Sequence, residues 1–141
     1  MTKITFLHGA RDRVQAASAW IASASSMGMR ILVFAPLEKQ REALDRLLWT
    51  QAATSFTPHC DASSPLANDT PVIIAASLDQ LAHDECLLNL SNQIPPGFSR
   101  FQHLTEIVST ADSDRLPGRE RFRFYRERGY PLESRDMAGD A

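Results

Sequence analysis

Little in this sequence could carry covalent or metal chemistry. Of its 141 residues only two are cysteine, Cys60 and Cys86, and only four are histidine. Two thiols can pair only once. The N-terminus, Met1-Thr2-Lys3-Ile4-Thr5-Phe6-Leu7, turns polar too soon for a secretory signal, so they read as reduced thiols in a cytoplasmic protein. His59, Cys60, His83 and Cys86 have the chemistry of a zinc donor set, but no CxxC or HxxxH supplies a paired chelate. The neighbours His59 and Cys60 point to opposite sides of an extended segment, and no metal is expected. Glycine is scarce, at six residues, and builds neither a GxGxxG nor a GxxxxGK[ST] array. The first strand-to-helix turn, Phe6-Leu7-His8-Gly9-Ala10-Arg11-Asp12, has one glycine and no phosphate cradle, so no nucleotide cofactor is expected. A GxSxG elbow and an HExxH helix are both missing, and no catalytic residue is assigned. No apolar run nears the roughly eighteen residues of a membrane span.

What is present suits one α/β domain. Hydrophobic residues make up 43% and charged residues 23% of a chain long enough to bury a core without disulfides or metal. Lys3 to Leu7 is β-branched and aromatic and reads as an opening strand, closed by a turn at His8-Gly9-Ala10. Asp12 stands as an N-cap with Gln15 three residues on, opening a helix over 13–27 whose core face is Val14, Ala17, Ile21 and Ala24. Arg30 to Ala35 is a near-continuous apolar run, the mark of a parallel strand covered on both faces. Pro36 opens a second helix to Trp49, with Ala43, Leu44, Leu47 and Leu48 inward. This alternation predicts βαβ crossovers and a Rossmann-like layered fold, a mostly parallel sheet flanked by helices.

Beyond Trp49 the pattern loosens. Residues 54–70 read as loop with at most one short strand near Phe56. Pro71 to Ala76 is a second buried strand, Leu87 to Leu90 a weaker one and Thr105 to Val108 a last one, before a helix from Gly118 to Arg128. The domain is expected to span residues 1–132, leaving 133–141 as a frayed polar tail.

Two stretches have no place in this core pattern. Trp49 lies about 140° from Leu44 around its helix and should face away from the core, and Phe56 sits in polar sequence. Together they form either an exposed partner surface or residues buried by a loop folding back. The other stretch is basic. Residues 115–128 hold six arginines against Glu120 and Glu127, a net +4 in a chain of net −2. On a helix Arg119, Arg123 and Arg126 fall within about 60°, with Phe122 and Tyr125 beside them. Guanidinium groups bordering aromatic surface suit a peptide bearing carboxylates and a large apolar side chain. A solvated amphipathic helix, a nucleic-acid phosphate contact, and aromatics (Phe124 first) anchoring the helix to the sheet are the other readings.

Taken in order, these pieces resemble the chi subunit of bacterial DNA polymerase III holoenzyme. The matching runs are the first strand and helix, Arg30 to Ala35, Leu44-Asp45-x-x-Leu48-Trp49, and Ser55-Phe56-x-Pro58-His59. The most specific is Arg119-Glu120-Arg121-Phe122-Arg123-x-Tyr125-Arg126-x-x-Gly129-Tyr130. The resemblance implies a non-catalytic replication accessory of the bacterial cytoplasm, monomeric alone and free of cofactor. By that resemblance, Arg115, Arg119, Phe122, Arg123 and Tyr125 fall in a region binding the acidic, phenylalanine-ended C-terminal tail of single-stranded DNA-binding protein. Trp49, Phe56 and Pro58 fall in a surface for the psi subunit, which leads to the clamp loader, or for a helicase. Phe122 stands where a tyrosine would be unsurprising, and the segment between Val108 and Arg119 looks short. The alternative reading is direct single-strand binding by the arginine helix.

Overall fold

The structure, a computed structural model, describes residues 1–50, 58–62, 64, 70–79 and 83–137. Among these residues seven strands and three α-helices follow one another as β1 (Lys3–Ala10), α1 (Arg13–Ser26), β2 (Ile31–Phe34), α2 (Glu38–Thr50), β3 (His59–Asp61), β4 (Val72–Ala75), β5 (Cys86–Asn89), β6 (His103–Ser109), α3 (Asp112–Glu127) and β7 (Leu132–Asp136). They build one sheet in the order β3-β4-β2-β5-β6-β1-β7, and every pairing is parallel. The expected α/β layered fold is the one observed.

The apolar runs are strands because both sheet faces are covered. β2, β4 and β5 are buried along their whole length. On one face, Ala17, Ile21 and Ala24 of α1 and Leu44 and Leu48 of α2 pack on Ile31, Val33, Val72, Ile74 and Leu88. On the other, Tyr125 of α3 and Phe98 and Phe101 of the β5–β6 connection pack on Ile4, Phe6, Leu32, Ile73, Leu87 and Leu104. Neighbouring strand residues thus serve opposite cores, as a period of two requires. The Asp12 cap is present, its carboxylate accepting from the Gln15 N–H at 3.0 Å.

Three local expectations are corrected. His8, Gly9 and Ala10 continue β1 and make no turn. The ladder to β6 carries one extra residue between Leu7 and Ala10, and Gly9 takes φ +81° there, where a side chain would be strained. α3 begins at Asp112, six residues before Gly118, with Asp112 and Asp114 favourably placed in its first turn. Pro117 is tolerated inside α3 because the Ser113 carbonyl, which loses its helical donor, accepts from the Asn92 side chain at 3.3 Å. Residues 132–136 are no frayed tail but the edge strand β7, paired with β1 from Ile4↔Leu132 to His8↔Asp136. Polarity misled because an edge strand with one covered side needs few apolar residues. Residues 138–141 and the short strand near Phe56 lie outside the described residues; β3 begins just after, at His59. No described helix is long and apolar enough to cross a membrane.

Ending the chain after Pro131 removes β7 and uncovers β1. Urea titration followed by circular dichroism should then show a clearly lower midpoint than the full chain, whereas loss of a frayed tail would leave the midpoint unchanged.

Candidate functional site

α3 lies on the sheet through a short list of inward residues. Gly118, Arg121 and Tyr125 are buried, Phe122 is half-buried, and Arg119, Arg123 and Arg126 face outward. Gly118 sets the closeness of approach: a Cβ there would stand 3.0 Å from both methyl groups of Val108. Phe122 packs edge-on against Phe6 with ring centroids 5.3 Å apart. Along the stretch of α3 from Arg115 to Phe122 a groove of about 420 Å³ opens between the helix and the ends of β1, β6 and β7.

Its floor is apolar, made by Phe6, Val108, Gly118 and Phe122; Arg115 and Arg119 stand on the helical wall, and His8, Ser134 and Asp136 on the strand wall. Arg115 is tethered to Asp112 at 2.6 Å yet remains 41% exposed. Arg123 lies outside the groove and stands 4.0 Å from Glu120. Arg126 sits 5.9 Å over the Phe122 ring. Three of the five residues expected at the tail site, Arg115, Arg119 and Phe122, therefore share one cavity, and Arg123 continues the cationic strip. Tyr125 does not belong with them. It is fully buried, because the angular step that carries Phe122 to the groove turns Tyr125 onto the sheet. A larger, more open hollow of about 760 Å³ at the C-terminal end of α3, between Met1, Phe124, Arg128 and Tyr130, gathers none of the expected residues.

Beneath the groove lies a buried polar network centred on Glu106 of β6. Its carboxylate accepts from the Tyr125 hydroxyl at 2.7 Å, from Asn89 Nδ2 at 2.9 Å and from Arg121 Nε at 3.1 Å. Burial pushes the Glu106 carboxyl up, against the opposing pull of Arg121, Asn89 and Tyr125. Burial and the adjacent carboxylate push the Tyr125 phenol up as well, which keeps it a donor. A second fastening holds the start of α3. Arg13 is buried and donates to the Ile107 carbonyl at 2.7 Å, the Ser91 carbonyl at 2.7 Å and Asn92 Oδ1 at 2.8 Å, with Asp114 at 3.6 Å. Asp114 also accepts from the Ser109 hydroxyl at 2.6 Å.

The second expected surface is on the other side of the molecule, where α2 meets β3. Trp49 is 60% exposed, and its ring meets His59 edge-on at 5.5 Å. His59 in turn bonds Asp45 at 2.9 Å, and Pro58 is exposed beside it. Phe56 lies outside the described residues. Among the described residues no three of His, Cys, Asp or Glu are grouped to hold a metal. Both cysteines are free, and burial pushes the Cys86 thiol up to about 12.

Sequence reasoning missed the groove's strand wall, because it treated Ser134 and Asp136 as tail. It also missed Glu106 and Arg13. One signal was available: Glu106 is a charge within a strand whose neighbours are Leu104, Thr105, Ile107 and Val108, and a buried charge calls for a partner. Arg13 has no such signal, since position 13 reads as the exposed start of a helix.

A family model described as DNA polymerase III chi subunit, HolC, matches residues 1–133. The chain is 32% identical over 121 residues to the DNA polymerase III subunit chi of Pseudomonas aeruginosa, covering 86% of this chain and 84% of that protein. It is 31% identical over 108 residues to the DNA polymerase III subunit chi of Escherichia coli, covering 76% and 74%. The same subunit of Haemophilus influenzae is 26% identical over 123 residues, covering 86% and 82%.

A carboxyl raised by burial holds its proton more tightly in the folded chain than in the unfolded one. Glu106 titration therefore favours the fold below the ordinary glutamate range and withdraws that contribution as pH climbs through the raised value. With ¹³C-labelled glutamate, the Glu106 carboxyl should lose its proton at higher pH than the solvent-exposed glutamates. Titration together with them would mean the carboxylate is hydrated.

Proposed function

The chain belongs to the DNA polymerase III chi subunit family, and on that premise we propose that it is a non-catalytic accessory that docks the C-terminal tail of single-stranded DNA-binding protein in the groove beside α3. The observation carrying this reading is the groove itself: an apolar floor of Phe6, Val108 and Phe122 with two guanidinium groups on its rim. An acidic peptide ending in phenylalanine needs that pairing. Its terminal ring occupies the floor, and its carboxylates, including the terminal one, meet Arg115 and Arg119. Arg123 and Arg126, farther along the exposed face, serve acidic residues upstream of the ring. Phe122 contributes ring surface only, having no hydroxyl to donate.

The aromatic surface at Trp49 and Pro58, with Phe56 beside it in sequence, is the second dock. Its occupant is the psi subunit, which joins this protein to the clamp loader, or a helicase using the same face. Its position across the sheet from α3 supports simultaneous occupation of both surfaces. Each contact to one short tail is weak, and single-stranded DNA-binding protein presents several tails, so affinity at coated DNA comes from avidity. The protein thereby holds the polymerase assembly at coated single strands.

Fluorescence anisotropy with a labelled acidic peptide ending in phenylalanine tests the site. Arg119→Ala should weaken binding about tenfold or more, as loss of a charge-assisted contact does. Removing the terminal phenylalanine should abolish binding. Absence of peptide binding together with salt-sensitive binding of a naked oligonucleotide would replace tail docking by direct single-strand binding through the arginine face.

A further inference from the structure

We propose that Tyr125, Arg121, Glu106 and Asn89 are positioning residues for the groove: they set the rotation of α3 from inside the core, and the rim arginines and Phe122 face the cavity because of it. This rests on the tail-docking reading for its functional consequence, though not for its geometry.

The groove-lining part of α3 runs from Arg115 to Phe122. Polar contacts fasten the helix on both sides of that stretch, and those on its C-terminal side are buried. Before it, Asp114 is held by Ser109 at 2.6 Å and by Arg13 at 3.6 Å, and the Ser113 carbonyl by Asn92 at 3.3 Å. Within and after it, Arg121 and Tyr125 reach the same carboxylate, Glu106, at 3.1 and 2.7 Å. Asn89 is the register partner of Glu106 on β5 and fixes the carboxylate from the other side. Asn89 is itself held, its side-chain oxygen accepting from Ser91 Oγ at 2.6 Å and its amide donating to the Gln93 carbonyl at 3.0 Å.

Apolar packing alone would let the helix roll slightly over the Phe6 and Phe98 rings, since such contacts are non-directional. Hydrogen bonds to one fixed carboxylate are directional. A roll of about 20° displaces a Cα by roughly 0.8 Å, enough to misplace a guanidinium group. The network is also poorly arranged for stability. Both terminal nitrogens of Arg121 are buried without an acceptor among the described residues. A buried ion pair left half-satisfied contributes position more readily than net free energy.

Tyr125→Phe removes one hydroxyl and keeps the ring. At a temperature where wild type and variants are fully folded by circular dichroism, Tyr125→Phe should weaken binding of the acidic peptide ending in phenylalanine about threefold to tenfold. In the Arg119→Ala background the same change should have a clearly smaller effect, because one of the groups it positions is absent. Residual dipolar couplings of the α3 amides, measured without ligand, should differ between Tyr125→Phe and wild type relative to those of β6. Unchanged affinity in Tyr125→Phe, or equal weakening with and without Arg119, overturns the proposal even if the melting temperature falls. If wild type itself does not bind the peptide, tail docking fails separately, and the couplings alone decide: an unmoved α3 overturns the positioning role.

Discussion

A carboxylate on a strand covered on both faces must find donors inside the protein, and the architecture around the groove follows from how Glu106 finds them. Leaving it unpaired would cost several kcal/mol. The donors come from β5 through Asn89 and from α3 through Arg121 and Tyr125. Because two of the three belong to one helix, satisfying the charge also orients that helix. Gly118 then lets α3 approach Val108 closely, and Phe122 closes against Phe6. These same residues form the floor of the groove, and β7 supplies its far wall through Ser134 and Asp136.

Charge is distributed to match. The arginines of α3 divide by angle: Arg121 turns inward to neutralise Glu106, whereas Arg119, Arg123 and Arg126 remain outward. Similar residues thus do different work within two helical turns. The inward one is held against Glu106, and the outward ones stand in solvent. The Trp49 surface across the sheet shares no residue with this arrangement, so ligand at one face has no steric reason to disturb the other.

Local elements were readable where one physical requirement dominated. The run from Ile31 to Phe34 could only be a strand covered on both faces, and Asp12 with Gln15 could only open a helix. Boundaries failed where a tertiary partner intervened. The last helix was expected from Gly118, yet it starts at Asp112 and continues through Pro117, where Asn92 supplies the donor that the proline removes. Residues 132–136 looked like tail, yet β1 offers them a ladder. Tyr125 was expected in the binding strip because it lies beside the arginine stripe on the helix and falls within the matching motif, yet its further step of about 60° past Phe122 turns it onto the sheet.

Sequence alone determined the α/β class, the cationic strip of the last helix and the family, because periodicity, residue type and motif order are properties of the chain itself. It also determined that Trp49 points away from its helix's core side, since angular position depends only on spacing. Tertiary structure decided which arginine is buried, which aromatic is a wall and which a fastening, and that β7 completes the groove. Those outcomes depend on what lies opposite each side chain. Glu106 and Arg121 are fifteen residues apart in sequence, and only the packing of α3 on β6 makes them neighbours.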